Sequence, residues 1–203
     1  MRTSHKFSQF LFVLFAMAAL SSFAMAADPG LLYPPTSEAS DQKAGSLLFY
    51  NIYTSGPSSG NTQNTRINIT NTSVTSTAFV HLYFVSEGCA VADSYICLTA
   101  NQTASFLTSD LDPGTTGYIV AIAVDGVNGA PAVHNWLIGD EYVKFTSGHT
   151  ANLGAIAFAK LTAANVLDTT GSLAALFLDG ALLAGSYNRA PRVLADDNVG
   201  SLA

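Results

Sequence analysis

Short segments of strand length, separated by polar turns, constrain the fold of this chain more than any other sequence feature. Residues 65–71 alternate strictly, with Ile67 and Ile69 on one face and polar residues on the other, as half-buried strands do. Residues 77–85 and 116–124 are apolar at nearly every position, so both faces of each strand are mostly apolar. This is typical of central strands covered on both sides. These segments predict a β-rich protein.

Turn signatures and strand spacing narrow the fold class. Asp112-Pro-Gly and Asp125-Gly indicate turns, because proline fixes φ and glycine accepts a positive φ. Further strands are expected at 46–53, 132–138 and 141–145, and no helical crossover of the kind that a parallel sheet requires precedes residue 149. The sequence therefore predicts an all-β fold, an antiparallel β-sandwich of immunoglobulin-like or jelly-roll-like type.

One short helix is expected near 150–163. Thr150 is a suitable N-cap, although Gly154 weakens the prediction by roughly 1 kcal/mol. The apolar residues that recur on one helical face are Leu153, Ile156, Ala157 and Leu161.

Residues 1–26 have the pattern of a signal peptide. A basic start with Arg2 and Lys6 precedes an eleven-residue apolar run at 10–20, and the segment ends in the small–x–small cleavage pattern Ala-Met-Ala. Eleven apolar residues are too few to cross a bilayer, which needs about 20. We therefore expect a secreted or periplasmic protein with no membrane span after cleavage, and an extended leader at 27–45.

The charge composition indicates which class of partner the protein can bind. Only 11% of residues are charged, against roughly 25% in a typical soluble protein, and the formal net charge is −6. Nucleic-acid binding needs clustered Lys and Arg to displace counterions, so a nucleic-acid partner is not expected. An unknown protein or a polysaccharide at the cell surface is expected instead, and no cofactor.

Cys89 and Cys97 are eight positions apart, and an oxidising compartment allows such a pair to form a disulfide. The rival interpretation, metal binding, needs two further ligands, and the nearest candidate, His81, fits no known finger spacing. A disulfide between the two cysteines is therefore predicted.

The predicted sandwich occupies residues 46–162. Further strands are expected at 172–178 and 190–194, either completing that sandwich or starting an incomplete second β unit within 163–203. The second option is favoured, because no capping element follows these strands. A chain ending at Thr162 should then still fold.

Three segments carry a resemblance to other proteins. The stretches at 98–106, 112–118 and 137–145 resemble those of a group of uncharacterised secreted β-sandwich-like proteins of environmental bacteria, across about residues 45–200. No activity is assigned to that group, so the resemblance implies export and no catalytic residue. It also implies that such proteins continue past the point where this chain ends.

One grouping of side chains invites a metal site: His134, Asp140, Glu141 and His149. Imidazole and carboxylate bind Zn²⁺ or a similar ion, and a glutamate can act as a general base. The spacing matches no HExxH-type pattern, so an ordinary solvated sheet face is the stronger expectation. Calcium held by Asp140 and Glu141 with Asp125 or Asn128 is a further alternative without EF-hand spacing.

Aromatic residues offer a second candidate site. Trp136 and Tyr142, with Tyr50, Tyr53 and Tyr118, could form a platform on which sugar rings stack. The alternative is that these rings fill the core and the half-buried strand faces.

These observations favour an exported, non-catalytic structural or interaction protein at the cell surface or outside the cell. The first alternative is a carbohydrate-binding module with exposed aromatics, and the second is a metal-dependent hydrolase. Ser58 occupies the nucleophile position of a Gly-x-Ser-x-Gly string, but a polar loop rather than a helix follows it, so no catalytic residue is expected.

Overall fold

The computed structural model describes residues 38–56, 63–168 and 173–191. The predicted signal peptide, the first part of the leader and Ser58 lie outside these ranges. The strands are β1 Leu47–Thr54, β2 Asn64–Asn71, β3 Ala78–Ser86, β4 Val91–Leu98, β5 Thr103–Leu107, β6 Thr116–Val124, β7 Leu137–Lys144, β8 Thr150–Gly154, β9 Ile156–Phe158, β10 Val166–Leu167 and β11 Ala174–Ala175. Short 3₁₀ turns at Glu87–Cys89 and Thr108–Asp110 complete the elements of the described residues.

The strands form two main antiparallel sheets. A five-stranded sheet has the order β4-β3-β6-β1-β9, a four-stranded sheet has the order β5-β2-β7-β8, and β10 pairs with β11 as a separate hairpin. Side chains from both main sheets meet in one core, which contains Leu48, Tyr50, Ile67, Ile69, Val80, Leu82, Phe84, Ile119 and Leu137. The predicted antiparallel all-β sandwich is therefore confirmed.

Alternation along each strand decides which residues enter this core. Ile67 and Ile69 of β2 are fully buried, as their spacing predicts. On β3, Leu82 also points into the core, whereas His81 and Tyr83 lie on the outer face of the five-stranded sheet. That outer face is the surface on which a third layer and the candidate site are built.

The predicted helix near 150–163 is wrong. Residues Thr150–Gly154 form β8 in a hairpin with β7, and Ile156–Phe158 form β9, which pairs with β1 in the other sheet. The chain changes sheets at Ala155, so Leu153 faces the sandwich core while Ile156 lies on the outer face of the five-stranded sheet. Two strands joined in this way reproduce the apolar spacing of one helix.

A third layer covers part of the outer face of the five-stranded sheet. Tyr187 is fully buried in an apolar cluster with Leu47, Ile122, Val124, Ile156, Phe158 and Ala39. The backbone N–H of Asn188 donates to the carbonyl of Ala159 at 2.9 Å, and Asn188 Oδ1 accepts from the N–H of Ala159 at 2.8 Å. The described part of 163–203 thus packs onto the sandwich rather than standing apart from it.

The predicted disulfide is wrong: both cysteines are free and exposed. Cys89 ends the 3₁₀ turn between β3 and β4, whereas Cys97 lies near the far end of β4, paired with Phe79. A spacing of eight positions suggested a closed loop, but most of the seven intervening residues form an extended strand that carries Cys97 away from the turn.

No helix in the described ranges has the length and apolarity needed to cross a membrane.

Candidate functional site

The predicted metal ligands do not come together, and the structure corrects that grouping. Asp140 and Glu141 are consecutive on β7, so Asp140 lies on the outer face and Glu141 is buried in the sandwich. His149 lies in the turn after β7, with Nδ1 3.1 Å from Ser147 Oγ, and His134 precedes the other end of β7. Among the described residues, no three His, Cys, Asp or Glu side chains are placed to hold a metal ion.

Asp140, taken as a metal ligand, is instead part of a polar ladder across the four-stranded sheet. Asn68 Nδ2 donates to Asp140 Oδ2 at 2.6 Å, and Ser105 Oγ donates to Asn68 Oδ1. The calcium alternative also lacks its geometry, because Asp125 follows β6 of the five-stranded sheet whereas Asp140 and Glu141 lie on β7 of the four-stranded sheet, and the three carboxylates are not grouped.

His134 serves a structural network instead. Its Nε2 lies 2.9 Å from Asn71 Oδ1, and its backbone N–H donates to Ser46 Oγ at 2.8 Å. Asn71 Nδ2 donates to carbonyls of the neighbouring segments, among them Ser76, so Asn71 Oδ1 is the acceptor and His134 Nε2 carries the proton. Burial lowers the pKa of His134, which keeps the ring neutral in this role.

We therefore expect His134 to make the fold less stable in acid. The unfolded chain takes up a proton near the ordinary histidine pKa of about 6.5, whereas the folded chain resists it to lower pH, so stability falls as the pH drops below that value. In His134→Gln, whose amide can donate to Asn71, urea unfolding should show a weaker loss between neutral pH and about pH 5. His149→Gln, at an exposed position, should behave as the wild type; an unchanged slope in His134→Gln would contradict this assignment.

Trp136 and Tyr142 lie far apart: Trp136 directly precedes β7 and Tyr142 is six residues further along, about 20 Å in an extended strand. Trp136 is half-buried before β7, with its ring centre 5.2 Å from that of His134, and its carbonyl accepts from the N–H of Thr72. Tyr142 is 38% exposed on the outer face of the four-stranded sheet, where Arg66 lies 5.6 Å from its ring centre. The two rings therefore do not form one sugar platform.

A different pair of aromatic rings lines a recess on the outer face of the five-stranded sheet. Its volume is about 470 Å³, and we call it the aromatic recess. Phe79 is 43% exposed and Tyr95 is 60% exposed. The residues that line it are Phe79, Tyr95, Val124, Asp125, Gly126, Asn128 and Gly129.

Register places the two rings side by side. Tyr95 of β4 pairs with His81 of β3, and Phe79 is two positions before His81 on the same face. The Phe79 ring packs over Gly126, where an added Cβ would lie 2.7 Å from the ring. Glycine at 126 is therefore what lets the Phe79 ring lie against the turn.

Tyr95 is supported from beneath by His81. The two rings stack with centres 3.8 Å apart, and His81 is only 8% exposed. His81 Nε2 lies 3.0 Å from Asp93 Oδ2, and its Nδ1 lies 2.8 Å from Tyr83 Oη. These two contacts fix the imidazole, and the fixed imidazole orients the ring of Tyr95.

The turn after β6 supplies the polar side of the aromatic recess. Asp125 uses only Oδ1 to hold the turn, accepting from Val127 N–H at 2.7 Å and Asn128 N–H at 3.2 Å. Asn128 Oδ1 accepts from the N–H of Ala130. Within the described residues, Asp125 Oδ2 and Asn128 Nδ2 make no hydrogen bond, and both residues are exposed. A carboxylate acceptor and an amide donor thus remain available beside the two rings.

This arrangement suits binding. Ligand sites combine apolar and aromatic walls with a few polar groups that fix orientation, and the aromatic recess has that composition. The sequence signals were present but indicated other roles: Phe79 belonged to a strand expected to be covered on both faces, and Asp125 belonged to a turn signature that Asn128 follows. Tyr95 was missed because β4 had not been predicted as a strand.

Comparisons with known proteins add little. No family model and no curated protein matches the chain. Among solved structures it is similar to Thermotoga maritima 1070, with a TM-score of 0.41 and 12% sequence identity, covering 58% of this chain and 96% of that one. A likeness this distant implies nothing about function.

Proposed function

We propose that the protein is an exported, non-catalytic binding protein that holds a polysaccharide in the aromatic recess. The observation that carries the proposal is the pair of exposed rings, Phe79 and Tyr95, beside the unbonded polar atoms of Asp125 and Asn128. Export rests on the signal-peptide pattern of residues 1–26.

The chemistry of the aromatic recess favours a sugar over a charged ligand. The apolar face of a sugar ring can stack on Phe79 or Tyr95, while its hydroxyl groups donate to Asp125 Oδ2 and accept from Asn128 Nδ2. Among the described residues that line the recess, Asp125 is the one with a charge, so a strongly charged partner would lack a matching set of charges. The support of Tyr95 by His81 reduces the ordering cost of binding, since the ring is already held in place.

The proposal refines the interaction protein expected from the sequence and moves the sugar site away from Trp136 and Tyr142. A metal-dependent hydrolase has no supporting observation, because its four expected ligands serve separate structural roles or lie on separate surfaces.

Retention on insoluble polysaccharides and on a glycan array tests the proposal. Tyr95→Ala removes the most exposed ring and should weaken binding by roughly tenfold, equivalent to about 1.4 kcal/mol. Asp125→Asn keeps an oxygen to hold the turn and removes the carboxylate charge, so it should also weaken binding. Tyr142→Ala removes a ring of the opposite outer face and is the matched control that should bind as the wild type.

Two results would contradict the proposal. Failure of the wild-type protein to bind any polysaccharide would exclude the ligand class. Binding that Tyr142→Ala abolishes and Tyr95→Ala leaves intact would place the sugar site on the four-stranded sheet instead.

A further inference from the structure

Two exposed thiols on one edge hairpin cannot reach each other. We propose that Cys89 and Cys97 are intermolecular cross-linking sites, through which copies of this protein join by disulfides into covalent chains longer than dimers. The proposal is independent of what the aromatic recess binds, and it rests on export to an oxidising compartment.

The distance between the two cysteines is set by β4. Every residue of β4 pairs with β3, from Val91 opposite Val85 to Leu98 opposite Ala78. Cys97 is six residues beyond Val91, so the extended strand carries it about 20 Å from the turn that holds Cys89. A disulfide requires Cα atoms about 4.4–6.8 Å apart, so an internal bridge would require most of the β3–β4 ladder to break.

Both thiols are open to a second molecule. Cys89 is exposed on the turn, next to Gly88, and Cys97 is exposed on the outward face of β4. β4 is the edge of the five-stranded sheet, and no strand of the described residues pairs with its free side. A second copy can therefore approach either cysteine without displacing an element of the fold.

The chemistry is thiol–disulfide exchange. The thiolate of one chain attacks the disulfide of an oxidised small-molecule or protein donor, which forms a mixed disulfide and releases one donor thiol. The thiolate of a second chain then attacks the protein sulfur of that mixed disulfide and releases the second donor thiol. Two protein thiols are oxidised to one disulfide, and the donor disulfide is reduced to two thiols.

A polypeptide with two thiols gives a different cross-linked product from a polypeptide with a single thiol. A chain with a single thiol can only join one other chain, so its product stops at a dimer. A chain with two thiols at opposite ends of a hairpin can join a different neighbour at each, so the product can grow past a dimer, whereas a wild-type product that stops at a doubly bridged dimer would contradict the proposal. The number of protein copies in the cross-linked product therefore shows whether both cysteines form intermolecular disulfides.

Non-reducing gel electrophoresis tests this prediction on protein that is purified from an exporting host, reduced, and then treated with glutathione disulfide. The wild type should form a ladder of trimers and larger species that dithiothreitol collapses to the monomer. Cys89→Ser and Cys97→Ser should each stop at the dimer, and the double variant should stay monomeric. Circular dichroism checks that all four proteins keep the fold.

Other products would overturn the proposal. An oxidised monomer two mass units lighter than the reduced one would show an internal disulfide and an opened hairpin. A monomer that carries glutathione, or one that keeps both thiols, would show that the cysteines are modified or inert rather than cross-linked. A ladder that persists in the double variant would show that the association does not depend on the thiols.

Discussion

Tyr187→Ala should lower the free energy of unfolding by about 3–5 kcal/mol, the range measured when a buried aromatic side chain is truncated to alanine. Tyr187 is fully buried between the outer face of the five-stranded sheet and the segment that carries it. Its removal leaves a cavity against Ile122 and Phe158, and it also uncovers Lys160, whose Nζ lies 5.3 Å from the centre of the Tyr187 ring.

Tyr187→Phe should have the opposite effect and raise the free energy of unfolding. The hydroxyl of Tyr187 is buried and has no hydrogen-bond partner among the described residues, and burial raises the pKa of the phenol, so it stays neutral. Removing an unsatisfied buried hydroxyl recovers its desolvation cost, about 1 kcal/mol or more, while the ring keeps its packing. The phenylalanine variant should therefore be slightly more stable than the wild type.

Urea unfolding of both variants measures the two effects, with Tyr142→Ala as an exposed aromatic control expected to change stability by less than about 1 kcal/mol. A chain that ends at Thr162 should lose at least as much stability as Tyr187→Ala, since it lacks the whole covering segment. If the shortened chain were as stable as the wild type, the boundary at residue 162 expected from the sequence would be right and the third layer would be dispensable.

The sandwich core was predictable because alternation is a local property. Ile67 and Ile69 appear at every second position, and a strand with that pattern can bury only one face, whatever its partners. The continuous apolar pattern of 77–85 predicted burial on both faces, and only part of this is right, because on the outer face His81 is buried but Phe79 is 43% exposed. What each outer face packs against depends on distant residues such as Tyr187, which no local pattern identifies.

The sequence predictions that were wrong or missed also reflect the limits of local patterns. β4 was missed because Asp93, Ser94 and Cys97 interrupt its apolar pattern, and an edge strand with one exposed face tolerates such residues. The two cysteines appeared able to close a loop for the same reason. The metal grouping failed because Asp140 and Glu141 are neighbours in sequence, and neighbours on a strand point to opposite faces.

Gly139→Ala should lower the free energy of unfolding by about 3 kcal/mol, at the upper end of the usual range for overpacking. Gly139 lies on β7 opposite Ile69, and Tyr50 reaches across from the other sheet so that its hydroxyl donates to the carbonyl of Asn68 at 2.9 Å. A Cβ at position 139 would overlap the hydroxyl oxygen of Tyr50 and would lie 2.9 Å from the Asn68 carbonyl oxygen.

Tyr50 cannot easily relieve this overlap. Its side chain is fully buried, and the pKa of its phenol is raised well above the ordinary value, first by burial and then by the nearby carboxylates of Glu141 and Asp140. The neutral hydroxyl therefore stays in place as a donor, and the ring is held by the packed core around it. The absence of a side chain at 139 is what allows a tyrosine to cross between the sheets.

A double-mutant cycle tests this interpretation. Tyr50→Phe alone should cost about 1 kcal/mol for the lost hydrogen bond, but it removes the atom that the new methyl group meets. Tyr50→Phe combined with Gly139→Ala should therefore cost less than the sum of the single losses, by at least about 1 kcal/mol. Tyr53→Phe, whose hydroxyl donates to Asp112 instead, should be additive with Gly139→Ala and is the matched control. Additivity in the Tyr50 cycle would show that the added methyl group is excluded by the Asn68 carbonyl oxygen and not by the Tyr50 hydroxyl.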